Sequence, residues 1–167
     1  TDYNIDFFVL PEPLFNSDST RIMSLRDGTK KMSKSDTSDY SRILMTDDND
    51  MIALKIKKAK TDSLSMPEPE NDLSKRPEID NLINIYSSCS KIPKNTVIEQ
   101  FASKEISYFK KELSQVLINL IEPICSEAKK IYEDKNFLNQ VLSSGAMRAR
   151  QISQNTISDV YKIVGMI

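Results

Sequence analysis

The chain has 167 residues, of which 39% are hydrophobic and 28% charged, with 23 Lys and Arg against 24 Asp and Glu. This composition supports one medium domain, or a small domain with part of another, and provides no general basic field for nucleic acid. There is no histidine, which excludes imidazole catalysis, and two cysteines are too few for a disulfide framework and indicate a reducing, intracellular compartment. Three glycines exclude a glycine-rich phosphate loop, and no apolar run reaches the about 18 residues that span a membrane, so we expect no membrane contact.

Two short strand-like runs come first. Residues 5–10 are mostly apolar and are closed by Pro11 and Pro13, which predicts a strand that ends in a turn. Residues 21–25 are a second such run, followed by an Asp-Gly turn signal. Residues 29–36 then form a polar stretch rich in lysine and hydroxyl groups, which we expect to be a loop.

Helical patterns fill the rest of the chain. Three aspartates at 47–50 precede apolar residues at helical spacing, as at a helix start, and residues 64–75 have the composition of a surface loop. Cys89 and Cys125 lie in apolar helical patterns and are expected to be small buried side chains. The spacing predicts five more helices: one starting at Pro77, one after Pro93, one over 106–131 kinked at Pro123, one over 137–142 ended by Gly145, and one over 152–164 ended by Gly165.

The stretch Lys31-Met32-Ser33-Lys34-Ser35, called the lysine loop below, has the most distinctive chemistry. Two ammonium groups three residues apart, flanked by hydroxyls, suit an anion with several oxygens such as a triphosphate. The apolar Met32 between them can pin the loop against the protein. Composition alone favours the simpler interpretation, a solvated lysine-rich turn.

Several stretches resemble one family. The run R-I-M-S-L-R-D-G-T-K-K-M-S-K-S-D at 21–36 contains K-M-S-K-S, the second signature of class I aminoacyl-tRNA synthetases, and is similar to tryptophanyl-tRNA synthetases of the bacterial and organellar type. The stretches at 55–63, 76–87, 109–113 and 142–150 resemble the same family in the same order. The family's first signature requires a histidine, which this chain lacks, so the chain resembles the C-terminal half of the family.

The resemblance implies a mainly helical fold. Residues 1–37 are then the last strands of a Rossmann-like α/β catalytic domain, and residues 38–167 an all-helical anticodon-binding domain. The family uses ATP and Mg²⁺ to convert tryptophan to its adenylate and transfers it to tRNA(Trp). The resemblance implies a homodimer at full length in the cytoplasm, or in mitochondria for a eukaryotic source, and a fragment that is inactive alone.

The resemblance also implies site residues. Lys31 and Lys34 are the expected catalytic residues, and with Met32, Ser33 and Ser35 they would hold the triphosphate and stabilise charge on departing pyrophosphate. Ile22 matches a position that lines the adenine pocket, although a core strand residue is the simpler interpretation. No residue set is expected to hold a metal.

Two other functions remain open at this point. The chain could be a non-catalytic helical tRNA-binding or regulatory module with a vestigial lysine loop. It could also be a helical interaction domain whose lysine loop is coincidental. In either case the basic doublets along the helices, among them Lys57-Lys58 and Lys110-Lys111, are ordinary solvated charges or contacts to RNA phosphates.

Overall fold

The structure is a computed structural model that describes residue 3 and residues 5–14 and 21–167. Its described part is helical, which confirms the expected fold class. Short 3-10 turns lie at Asp39–Ser41 and Leu73–Lys75. The α-helices are α1 (Asn49–Lys58), α2 (Pro77–Ser90), α3 (Lys94–Phe101), α4 (Ile106–Glu133) and α5 (Lys135–Ile163).

The two predicted strands have different outcomes. Residues 5–10 do not form a strand, and Val9 and Leu10 are 94% and 87% exposed. A strand needs a neighbour for its backbone groups, and no strand pairs with this run within the described residues. Residues 22–24 instead pair with 30–32 in a minimal hairpin, through a single antiparallel bridge between Met23 and Lys31.

Most helix boundaries follow local chemistry. The Asp48 carboxylate caps α1 by accepting from the backbone N–H of Met51 at 2.8 Å, and Pro77 occupies the first turn of α2. The predicted end at Gly145 is wrong, because α5 runs through it as one continuous helix. Gly165, with a φ of 74°, follows the end of α5 as predicted.

The chain divides into two compact units. One comprises Thr1–Leu14 and Ala128–Ile167, and its helix α5 has no buried residue. The other, Phe15–Glu127, contains the hydrophobic core. There the ring of Phe101 packs edge-on against Tyr86 and Phe109, with centroids 5.3 and 5.0 Å apart. The predicted functional boundary after residue 37 is a separate question and stays a prediction.

The cysteines and one lysine have structural roles in the second unit. Cys125 is buried and Cys89 half-buried, both as free thiols, and burial raises the pKa of Cys89. Lys55 is also buried, with 2% of its side chain exposed, and its ammonium group lies 2.6 Å from the carboxylate of Asp47. This ion pair fastens the middle of α1 to the segment that precedes it.

Gly28, in the hairpin turn, lies against the first turn of α2. A Cβ atom there would lie 2.5 Å from the carbonyl carbon of Pro77 and 2.6 Å from the nitrogen of Glu78. These are backbone atoms, so the hairpin would have to move away from α2. We expect Gly28→Ala to lower the free energy of unfolding by about 1–3 kcal/mol, measured by urea denaturation with circular dichroism.

Gly145→Ala is the matched control. A Cβ atom at Gly145 meets nothing within 4 Å, and the residue lies inside α5, so alanine should raise helix stability by about 0.5–1 kcal/mol. A Gly28→Ala chain as stable as the wild type would contradict the close approach between the hairpin and α2.

Candidate functional site

The lysine loop continues directly from the hairpin. The backbone N–H of Ser24 donates to the carbonyl of Lys30 at 2.7 Å, and that of Met32 donates to the carbonyl of Ile22 at 3.0 Å. These bonds fix the backbone up to Met32, the second residue of the loop.

The turn of the hairpin is held by Asp27. Its carboxylate accepts from the hydroxyl of Thr29 at 2.6 Å and from the backbone N–H of Thr29 at 3.0 Å. These two hydrogen bonds lower the pKa of Asp27, with a smaller contribution from Lys30, 3.5 Å away. The turn is thus closed by its own side chains, as Asp-Gly sequences favour.

Asn81 of α2 connects the hairpin to the helical core. Its side-chain amide donates to the carbonyl of Met23 at 2.8 Å, and its side-chain oxygen accepts from the N–H of Met23 at 2.8 Å. The amide therefore does what a neighbouring strand would do for that residue, and only 3% of Asn81 is exposed. Sequence reasoning gave Asn81 no role. The available signal was a polar residue between the apolar Ile79 and Leu82.

A second set of contacts holds the other side of the hairpin. The N–H of Lys60 donates to the carbonyl of Leu25 at 2.7 Å, and the N–H of Leu25 donates to the carbonyl of Ser41 at 2.9 Å. The ammonium group of Lys60 lies 2.7 Å from the carboxylate of Glu78. This hydrogen bond, with a smaller contribution from the backbone N–H of Gly28, lowers the pKa of Glu78.

The lysine loop itself combines one anchored side chain with two free charges. Met32 is half-buried against the hydrophobic core, which agrees with its expected role as a pin. Lys31 and Lys34 are exposed, and neither has an ion-pair partner in the part of the chain that the structure describes. The hydroxyls of Ser33 and Ser35 lie 3.1 Å apart.

The structure therefore brings Lys31, Lys34 and the two serine hydroxyls onto one exposed loop. Such a group can donate several hydrogen bonds to an anion and balance its charge. Ile22 lies at the base of the hairpin, half-buried against the same core as Met32. That position fits a core residue. The proposed roles of these residues stay predictions.

One of the basic doublets is partly structural. The ammonium group of Lys110 donates to the carbonyl of Ala59 at 2.7 Å and to the hydroxyl of Thr61 at 3.0 Å, so it caps the end of α1 from α4. Its desolvation lowers the pKa of Lys110. Beside it lies a cavity of about 760 Å³ between α1, residues 61–65 and the start of α4, and the exposed Lys57 and Lys111 contribute to its lining.

An ion pair ties this region to α2. The guanidinium group of Arg76 donates to both oxygens of Asp62, at 2.7 and 2.8 Å, and to the carbonyl of Ser65 at 2.9 Å. The pair joins two of the stretches that carry the family resemblance. Hydrogen bonding by Arg76 lowers the pKa of Asp62.

The donor set of the lysine loop does not fit a Mg²⁺ site held by the protein. Mg²⁺ prefers carboxylate oxygens, whereas the loop presents ammonium and hydroxyl groups. Among the described residues, no group of three or more Asp, Glu, Cys or His side chains is placed to hold a metal ion. No described helix is long and apolar enough to cross a membrane.

Comparison with known proteins identifies the family. A sequence profile described as "tRNA synthetases class I (W and Y)" matches residues 1–122. The chain therefore belongs to this family of class I tRNA synthetases. Within the family, it is similar to tryptophan–tRNA ligases and matches their C-terminal half.

Two curated relatives illustrate the similarity. The tryptophan–tRNA ligase of Agrobacterium fabrum is 42% identical over 96% of this chain and 46% of the relative. That of Rickettsia conorii is 42% identical over 99% of this chain and 49% of the relative. The chain thus spans about half the length of the curated relatives it matches.

Solved structures support the same fold. Tryptophanyl-tRNA synthetase from Mycoplasma pneumoniae superposes with a TM-score of 0.75 at 26% identity, over 90% of this chain and 45% of that one. The enzyme from Campylobacter jejuni gives a TM-score of 0.64 at 20% identity, over 96% of this chain and 47% of that one, which bears on the fold alone.

The ion pair between Asp62 and Arg76 makes stability depend on pH. Because folding lowers the pKa of Asp62 below its ordinary 3.8, the stabilisation is present above that value and is lost as the pH falls through the folded-state pKa. Asp62 is partly exposed, so we expect Asp62→Asn to cost only about 0.5–1 kcal/mol at neutral pH. The difference from the wild type should shrink below about pH 4, as measured by urea denaturation at several pH values.

Glu99→Gln, which removes an exposed carboxylate on α3, is the control. Its free energy of unfolding at neutral pH should stay close to the wild-type value, because Glu99 makes no ion pair within the described residues. If the difference caused by Asp62→Asn were the same in acid as at neutral pH, the proposed contribution of the ion pair would be refuted.

Proposed function

We propose that the protein containing this chain is a tryptophan–tRNA ligase, which activates tryptophan with ATP and transfers it to tRNA(Trp). The observation that carries the proposal is the lysine loop, where two exposed ammonium groups without an ion-pair partner among the described residues extend from an anchored hairpin in a chain 42% identical to named tryptophan–tRNA ligases. Residues 1–37 then belong to the catalytic domain and residues 38–167 to the anticodon-binding domain. The whole enzyme would be a homodimer in the cytoplasm of a bacterium or in a mitochondrion.

In this proposal the lysine loop binds the phosphates of ATP. Lys31 and Lys34 supply positive charge, and Ser33 and Ser35 donate hydrogen bonds to phosphate oxygens. When the carboxylate of tryptophan attacks the α-phosphorus, negative charge builds on the departing pyrophosphate. Ammonium groups held in place for that charge stabilise the transition state more than bound ATP, and so they raise the rate of the chemical step.

Mg²⁺ that entered with ATP would neutralise phosphate charge. The lysine loop contains no carboxylate to hold the ion, so no step of the reaction depends on a metal bound by this chain. Ile22 would contribute apolar contact to the adenine base from the foot of the hairpin.

Lys34→Ala tests the catalytic assignment in the whole enzyme. Loss of one such charged donor typically costs about 2.7–4 kcal/mol of barrier, a factor of about 10²–10³ in kcat. We expect this loss in tryptophan-dependent ATP–pyrophosphate exchange, with tryptophan binding changed far less, because the charge acts mainly in the transition state.

Lys75→Ala, at an exposed lysine in a short turn of the same unit, is the control and should exchange at the wild-type rate. An active wild type with an equally active Lys34→Ala variant would refute the role of Lys34. A wild type without any exchange activity would favour the alternative, a non-catalytic tRNA-binding or regulatory module with a vestigial lysine loop.

Two exposed lysines that line the cavity beside Lys110, Lys57 and Lys111, can be replaced to test RNA binding by the chain itself. Net charge is −1, so affinity for tRNA(Trp) must come from a few local lysines and arginines. It should fall steeply with salt, by roughly 0.7–0.9 log units per log unit of salt for each phosphate neutralised. Replacing Lys57 and Lys111 together by alanine should weaken binding and reduce this slope by roughly 0.7–0.9 for each lost phosphate contact. Fluorescence titration of labelled tRNA over a salt series measures both.

The same titration with an anticodon-swapped tRNA separates base recognition from phosphate contact. We expect the cognate tRNA to bind more tightly at equal salt, because unstacked anticodon bases expose edges that phosphate contacts do not sense. For the replacement of Lys57 and Lys111, Lys75→Ala again serves as the control and should bind both tRNAs as the wild type does. Identical curves for the two tRNAs would exclude anticodon recognition by this chain.

A further inference from the structure

Arg42 lies just beyond the lysine loop and is largely buried, with 11% of its side chain exposed. One terminal nitrogen of its guanidinium group, Nη1, donates to two backbone carbonyls, that of Asp36 at 2.9 Å and that of Ser38 at 3.1 Å. The other, Nη2, donates to the carboxylate of Asp39 at 2.7 Å. The side chain thus folds back over the segment that follows the lysine loop.

One hydrogen-bond donor of the Arg42 side chain is buried without an acceptor within the described part of the chain. Its Nε is buried and has no hydrogen-bond partner among the described residues. An unpaired buried N–H costs free energy, and an apolar side chain would fill the same space without that cost. Arg42 therefore does something that packing alone does not require. Its guanidinium group donates hydrogen bonds to the carbonyls of residues 36 and 38, which an apolar group could not do.

The carbonyls of Asp36 and Ser38 lie directly after the lysine loop, at its C-terminal end. At the first end, Met32 is fixed by its bond to the carbonyl of Ile22 and by its contact with the core. The segment next to Arg42 is itself attached to the hairpin, because the carbonyl of Ser41 accepts from the N–H of Leu25 at 2.9 Å. Residues 33–35 thus span two anchored points, and Lys34 is the middle residue of the span.

We propose that Arg42 is a positioning residue for the lysine loop, which fixes the backbone after the loop and thereby sets where the ammonium group of Lys34 meets the pyrophosphate. This inference rests on the proposed function. Arg42 itself contacts no substrate in this scheme. A planar guanidinium group suits the task, because one nitrogen bridges two carbonyls while the other is held by Asp39.

The test is Arg42→Ala in the whole enzyme, assayed by tryptophan-dependent ATP–pyrophosphate exchange. Misplacement of a catalytic group by about 1 Å can cost about 100-fold, so we expect kcat to fall by about 10- to 100-fold. KM for tryptophan should change by less than about threefold, because the loop acts on the phosphates. Arg42→Lys, which keeps a donor for the carbonyls but loses the planar fork, should give an intermediate rate.

A double-mutant comparison separates positioning from general stability. If Arg42 acts through Lys34, removing Arg42 from an enzyme that already lacks the Lys34 ammonium group should change the rate by less than about threefold. Lys75→Ala is again the control, because this exposed lysine lies in a short turn outside the hairpin and the loop. This variant should keep the wild-type rate.

The outcomes distinguish the inference from the proposed function. No exchange by the wild type, or no effect of Lys34→Ala, refutes the proposed function and with it the role of Arg42. Loss of activity by Lys34→Ala with equal rates for Arg42→Ala and Lys75→Ala refutes the inference alone. So does a full multiplicative loss in the Lys34→Ala/Arg42→Ala double variant. If Arg42→Ala does not fold, Arg42→Lys decides in the same way, with and without Lys34→Ala.

Discussion

The contact between Asn81 and the backbone of Met23 is the interaction on which the site depends. A two-stranded hairpin with a single bridge is marginal in water, because few of its backbone groups are paired and little apolar surface is buried. The Asn81 amide supplies the missing neighbour from α2, and the absence of a side chain at Gly28 lets the turn approach the same helix. The position of the lysine loop is thereby linked to the packing of the helical core.

Much of the helical fold could be predicted from the sequence, because the ends of a helix depend on the residues next to them in the chain. The aspartates at 47–50 and Pro77 gave correct starts. Gly145 gave a wrong end, because glycine inside an exposed helix costs only about 1 kcal/mol relative to alanine and does not by itself break the helix. Residues 5–10 have the composition of a strand, but strand formation depends on a partner, which composition does not reveal.

Part of the candidate site could also be predicted, because it depends on residues that are neighbours in the chain. The lysine loop is contiguous in sequence, so its residues could be named from the motif alone. Asn81 acts through the backbone of Met23, which is 58 residues away in the chain, and a single sequence does not reveal such a contact. Arg42 bonds the nearby carbonyls of Asp36 and Ser38, but an arginine in a polar stretch is not distinguished by its sequence pattern from a solvated charge. Lys110 is a related case, since its pattern is that of a solvated doublet while its ammonium group caps α1.

The exposure of Lys31 and Lys34 has a consequence for how an anion reaches them. Exposed charges act over about one Debye length, about 8 Å at physiological ionic strength, and the chain as a whole is nearly neutral. Such a loop exerts little attraction on a distant anion, so electrostatic steering contributes little to the rate of encounter. In the proposed function, selection among phosphates would then depend on which of them is already bound close enough to touch the loop.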